Sequence, residues 1–151
     1  MLPRWHILLG AVFALILLAL FPSIGFVNAI VIFLSSFLID FDHYAVAVFE
    51  TGRWSLRDAF DFYRRLELEE KRERRRGIRR KGKLHVFHTI EFHLLVFLIG
   101  LKFSLFFFIF VGMLFHSITD FVWLVIKDRV YRREFFLSRW LVKQALSQSK
   151  G

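Results

Sequence analysis

Cysteine is absent from this chain of 151 residues. That excludes a disulfide framework and any thiolate metal site, so a bound metal would have to be held by His, Asp and Glu. Zinc, manganese and iron all remain open under that ligand set. Charge is also missing over long stretches: no Lys, Arg, Asp or Glu stands between Trp5 and Ile39. Basic residues are almost absent from one side of the topology set out below. An acidic excess is lacking too, since the formal net charge is +9.

What is present is apolar. Hydrophobic residues make up 56% of the chain and the mean hydropathy is +0.50, which together read as a membrane composition. The residues form a single membrane domain, 1–151, expected to be all-α: a polytopic bundle of four transmembrane helices with amphipathic cytoplasmic helices. The spans are expected at about 5–21, 24–49, 84–101 and 103–126. The first run is long for a signal peptide and is followed by a second apolar run, so it is read as a span. Pro22-Ser23 makes a tight turn between the first two, which should form an antiparallel hairpin.

The polar section 50–83 changes character along its length. From Ser55 it reads as an amphipathic helix, with Ser55 and Asp58 as a capping-box-like start and Leu56, Ala59, Phe60, Tyr63 and Leu66 at helical spacing. From Glu67 to Lys83 it is highly charged and lacks a sustained apolar stripe, which predicts a solvated segment dispensable for folding. The basic tail 127–151 carries Phe136, Leu137, Trp140, Leu141 and Leu146 at the spacing of an interfacial amphipathic helix.

Orientation follows from the basic residues. Section 50–83 holds 13 Lys/Arg against 7 Asp/Glu and the tail holds 7 against 2, whereas the opposite side has only Lys102. Both termini and the long loop should therefore face the cytoplasm, with the chain multi-pass in the plasma (inner) membrane. The arginine runs then serve anionic headgroups of membrane lipids, and no nucleic-acid partner is needed to explain them. The sequence leaves room for a homo-oligomer.

Polar residues inside the spans carry the chemistry. His116 and Asp120 are one helical turn apart, so both project from one face of an apolar helix. Ionisable residues in a spanning helix are costly and tend to face a bundle interior and mark function. Asp40, Asp42 and His43 stand near the end of the second span, and His85, His88, Glu91 and His93 in the first half of the third. With a rise of about 1.5 Å per residue, Asp40, Asp42, His88, His93, His116 and Asp120 all lie about 6 to 16 Å inside the cytoplasmic boundary. Three helices thus offer metal ligands at one depth. On a regular helix Asp42 would be turned by about 200° from Asp40, and His93 by about 140° from His88. Either the third span is irregular at its start or only one of His88 and His93 binds directly. His85 reads as an interfacial histidine, and Trp5 and His6 as part of an aromatic belt rather than as ligands.

Asp40-Phe41-Asp42-His43, then His88 and His93, then Gly112-x-x-x-His116-x-x-x-Asp120 resemble the signature of the inner-membrane metal-dependent hydrolases, the family of the LexA-binding membrane protein. That family is itself similar, in the order of its ligands, to the all-helical zinc-dependent phospholipase C and P1 nuclease group. The resemblance spans about Asp40 to Asp120. The chain departs from the pattern at Ile39, where the family has Pro, at Thr89, where it has Arg, and at Phe92-His93-Leu94, where it has Thr-His-Ser. By resemblance, Asp40 or Asp42, one of His88 and His93, His116 and Asp120 would surround a metal; His43, three residues after Asp40 and on the same helical face, is a further candidate ligand.

The expectation is a membrane-embedded hydrolase acting on a phosphoester or related bond of a lipid at the cytoplasmic leaflet. Asp42, Glu91 and His93 are its candidate catalytic residues, as base or orienting groups. Two alternatives stand beside it. His and carboxylate pairs on three helices also suit a di-iron-type lipid oxidase or hydroxylase. The chain could instead be a non-enzymatic metal-binding or interaction membrane protein.

Overall fold

The first apolar run does form a helix, α1 (Pro3–Leu20), in a computed structural model that describes residues 3–149. Among the described residues all regular structure is helical, with no strand. After α1 the chain turns through a short 3-10 helix, Pro22–Ile24, where proline at the first position suits the missing N–H. Gly25, at φ +77, then starts α2 (Phe26–Leu38).

The second apolar run is not one continuous helix. It breaks at Ile39-Asp40 and resumes as α3 (Phe41–Thr51). Gly52 in the left-handed region ends α3, and Ser55 caps α4 (Leu56–Arg75) by accepting from the Arg57 N–H at 3.2 Å. Residues before α5 (Ile90–Gly100) are irregular apart from a 3-10 turn at Val86–His88, and Thr89 caps α5 through the Phe92 N–H. The third run is therefore irregular at its start. α6 (Ser104–Ile126) and α7 (Leu137–Gln148) complete the chain, joined by a 3-10 turn at Val130–Arg132.

Among the described residues, two stretches are long and apolar enough to cross a membrane: Phe26–Thr51, which is α2 and α3 together, and Ser104–Ile126. α1 and α5 are shorter apolar helices, although the sequence predicts spans at 5–21 and 84–101. The 11 residues of α5 rise only about 16 Å, because Thr89 starts the helix and leaves 84–89 outside it.

α2 lies between α1 and α6, and α6 also carries α5. Large apolar side chains such as Leu15, Leu20, Phe26 and Ile126 point outward, whereas buried apolar residues are few and often small. Polar residues fill much of the interior: His6, Ser36, Asp42, His88, Thr89, His116 and Asp120 are buried.

The charged segment after Leu68 is fastened rather than free, contrary to its expected character. Glu70 is buried and faces Arg129 at 3.1 Å and Arg132 at 3.7 Å. The Gly82 N–H donates to the Arg132 carbonyl at 2.8 Å, and Lys81 Nζ to that of Arg133 at 2.8 Å. The partners stand some fifty residues further on in the tail, so no local stripe signals the attachment.

Close approach of α6 to α2 depends on Gly112. A Cβ there would lie 2.1 Å from Ser35 Oγ and 2.3 Å from the Ile32 carbonyl, and backbone cannot yield as a flexible side chain can. Gly112→Val is expected to lower the midpoint of thermal unfolding in detergent by several degrees, measured by tryptophan fluorescence. An unchanged midpoint would show that α6 can withdraw at no cost.

Candidate metal centre

Where α2 breaks, one backbone acceptor is released. The Asp40 N–H turns to the Phe37 carbonyl at 3.2 Å in 3-10 fashion, leaving the Ser36 carbonyl without its helical donor. His116, fully buried one turn after Gly112, takes that carbonyl with its Nδ1–H at 2.8 Å. Its Nε2 lone pair is thereby aimed away from α2.

His88 is oriented in the same manner by another group. Its Nδ1–H donates to Asp42 Oδ2 at 3.0 Å, and the same oxygen accepts the Phe87 N–H at 3.0 Å. The Nε2 atoms of His88 and His116 then face each other at 3.1 Å. Asp40 Oδ1 lies 3.5 Å from each of them. With both Nδ1 hydrogens committed, two facing Nε2 lone pairs need a cation between them, whether a shared proton or a metal ion. Ligand atoms about 2.0–2.1 Å from a tetrahedral zinc lie about 3.3–3.4 Å apart, and the three separations fall around that spacing.

Asp120 adds a carboxylate on the same side, with Oδ2 3.7 Å from His116 Nε2. Its Oδ1 lies 3.1 Å from His6 Nε2, and Arg133 Nη1 stands 3.4 Å from Oδ2. The groups His88-His116-Asp120, Asp40-His43-His88 and His6-Asp40-His116 each bring their ligand atoms within 4.8 Å of one another, so each could hold a metal ion. Together they place Asp40 and Asp120 among the rings of His6, His43, His88 and His116, with the Arg133 guanidinium beside Asp120.

His43 sits at the rim. Its Nδ1 is 3.0 Å from Asp42 Oδ1, and its ring stacks on His85 with centroids 3.8 Å apart. The Tyr63 hydroxyl from α4 donates to the His43 carbonyl at 2.9 Å and accepts from His85 Nε2 at 3.2 Å. Burial, with Asp42 and Asp40 nearby, raises the Tyr63 pKa above the ordinary phenol value, so the hydroxyl stays a donor.

Two expected site residues lie elsewhere. Glu91 holds the start of α7, accepting from the Leu137 N–H at 2.9 Å, the Ser138 N–H at 3.0 Å and the Ser138 hydroxyl at 2.8 Å. A helix N-terminus supplies unpaired N–H groups that favour a carboxylate. His93 bonds to the Thr89 carbonyl through Nδ1 at 2.9 Å and meets Ser117 Oγ with Nε2 at 2.9 Å, on the face of α5 toward α6. It joins none of the clusters just described. Conversely, His6, expected as part of an aromatic belt, is buried with its ring stacked on His116 at 3.9 Å. At the edge of the first span it lies nearer the boundary than the other candidates, and no local pattern in the sequence marks it. Arg133 has no signal beyond its basic neighbours.

No family model, curated protein or solved structure matches the chain.

Because Asp42 orients His88 without lying in the facing pair, Asp42→Asn should weaken metal affinity about 10- to 100-fold, as loss of such an orienting partner commonly does. His93→Ala should leave metal content unchanged. Titration of purified variants with zinc, followed by calorimetry, checks both. Equal losses in the two would mean that the His88-His116 pair is not where the ion binds.

Proposed function

We propose that this chain is a membrane-embedded, metal-dependent hydrolase that cleaves a phosphoester or related bond of a lipid at the cytoplasmic leaflet. The observation that supports it most is the facing pair of Nε2 atoms, oriented by the Ser36 carbonyl and the Asp42 carboxylate and flanked by Asp40 and Asp120. Such an array favours a divalent cation, zinc first, held by Asp40, His88, His116 and Asp120. The resemblance in the order of Asp40-x-Asp42-His43, His88 and Gly112-x-x-x-His116-x-x-x-Asp120 points the same way.

When bound, the ion would polarise a phosphoryl oxygen and bring the pKa of its water toward neutrality. The rest of the chemistry belongs to the chain. Asp42, with its oxygens taken by His88, Phe87 and His43, serves as an orienting group. His43, partly exposed at the rim and held through Nδ1, keeps Nε2 for moving a proton to or from water or the leaving group. Glu91, engaged with α7, takes one carboxylate from the di-iron alternative, which needs several.

In the bilayer, all four apolar stretches would cross or enter the membrane with outward Leu, Phe and Val side chains against lipid. α5 reaches only partway, and the irregular backbone at 84–89 is covered by α3, α4 and the tail, as non-helical chain at membrane depth requires. The Lys/Arg asymmetry supports an orientation with the site end, both termini and α4 in or near the cytoplasm. Cysteine replacing Ser23 or Ser104 should react with an impermeant maleimide from outside cells, and one replacing Ser149 only after permeabilisation. Labelling of both sets from one side would end this topology.

The activity is tested with phosphatidate and phosphatidylcholine in mixed micelles after zinc, manganese or iron loading. His116→Ala and Asp120→Asn should each lose most bound metal and at least about 100-fold in kcat, in keeping with removal of a group that holds the reacting centre. His43→Ala should keep the metal and lose activity. Full metal occupancy in the first two variants would defeat the proposal.

A further inference from the structure

Two cavities meet at the proposed centre, and they differ in chemistry. One, of about 400 Å³, lies under α4 and the tail and is lined by His43, Tyr63, Lys83, His88, Asp120 and Arg133 among others. The other, about 430 Å³, is a groove between α5 and α6 walled by Leu94, Phe97, Phe110, Leu114, Ile118 and Phe121. The residues common to both are His88 and Arg133. From Phe110 to Phe121 the groove follows about 16 Å of helix, which is about half of a 30 Å hydrocarbon core.

The cations around the polar cavity are not equivalent. Arg129 and Arg132 share buried Glu70, and Lys83 bonds Glu50 at 2.8 Å. Arg133, mostly buried, reaches Asp120 at 3.4 Å through Nη1. A guanidinium carries five N–H donors in a planar fork suited to two oxygens of a phosphate. The fork stands where the apolar groove ends and the His88-His116 pair begins.

Resting on the hydrolase reading, we propose that Arg133 binds the phosphate of an anionic lipid while the α5–α6 groove holds one of its hydrocarbon chains. A lipid so placed has its phosphoester between Arg133 and His88, with the headgroup in the polar cavity. Phosphatidate, with a compact anionic head, is the simplest lipid of this chemistry. A bulk lipid lying against the groove would make the same apolar contacts without regard to headgroup, and that difference can be measured.

The test uses the full chain in phosphatidylcholine nanodiscs, treated with chelator so that turnover plays no part. Trace phosphatidate carrying an acyl-chain diazirine is compared with a phosphatidylcholine probe of the same chain, and adducts are mapped by mass spectrometry. The phosphatidate probe is expected to label Leu94, Phe97, Leu114 or Ile118 several-fold more than the phosphatidylcholine probe, with competition by unlabelled phosphatidate. Arg133→Gln should level the two probes, while Arg133→Lys keeps part of the preference. Each variant is its own control, because both probes report on the same folded sample. Equal labelling by the two probes in the parent chain, or a preference that survives Arg133→Gln, would overturn the proposal. Since no hydrolysis is read, that failure is separate from failure of the enzymatic reading.

Discussion

The hydrogen bond from His116 Nδ1 to the Ser36 carbonyl is the contact on which the rest of the centre depends. It needs two departures from regular structure at once. α2 must stop at Leu38 so that the Ser36 carbonyl is released, and α6 must come close enough for the imidazole to reach it, which Gly112 permits by presenting no side chain to Ile32 and Ser35. An unsatisfied buried carbonyl costs about 1–3 kcal/mol, as does an unsatisfied buried ring N–H, so each group makes the other's position tolerable. The bond also settles which ring nitrogen of His116 faces Asp40 and His88. A different partner for Nδ1 would turn the lone pair elsewhere.

The break at Ile39-Asp40 does more than release a carbonyl. On a continuous helix Asp40 and Asp42 would diverge by about 200°, and one of them would face away from the centre. With the chain turned at Asp40, Asp40 Oδ1 lies beside both Nε2 atoms while Asp42 reaches behind His88 to its Nδ1 and to the Phe87 N–H. One carboxylate faces the gap between the two imidazoles and the other fixes the orientation of His88. The irregular start of the third apolar run has the matching effect. Because Thr89 begins α5, His88 stands in a 3-10 turn outside the helix and is freed from the angular relation that ties it to Glu91 and His93.

Much of this is legible in the amino-acid sequence itself. The apolar runs, the His116-Asp120 spacing, the Ser55 cap and the tail helix each rest on local patterns of period or capping, and the all-helical architecture follows from them. Asp40, His88, His116 and Asp120 are within reach because ionisable residues in apolar surroundings stand out. What is not legible depends on distant partners. The break at Ile39-Asp40 carries no glycine or proline, so nothing local announces it. His6 is a single histidine near the start of α1, and only the packing of α1 beside α2 brings it onto His116. Glu91 reads as a candidate base because it is a carboxylate in the same apolar run as His88 and His93, but the N-terminus of α7 lies some 46 residues away in sequence and engages it.

This attachment makes the tail part of the centre rather than an appendage. Glu91 holds the first N–H groups of α7, and the Ile90 N–H bonds the Phe135 carbonyl at 2.9 Å. Residues 129–135 are thereby held against the start of α5, while Gly82 and Lys81 bind the same stretch from the other side. Arg133 is thus secured from both flanks and is set beside Asp120. A long, flexible cationic side chain would otherwise lose much rotamer freedom, about 2 kcal/mol, on being placed at one point. Here the backbone contacts on either side fix its origin, so less freedom remains to be lost when an anion arrives. The charged segment 67–83, which on composition alone has no structural purpose, is what clamps the outer flank. Arg80 pairs with Glu73, Arg79 with Asp128 and Glu70 with Arg129 and Arg132, whereas Arg133 is directed at Asp120.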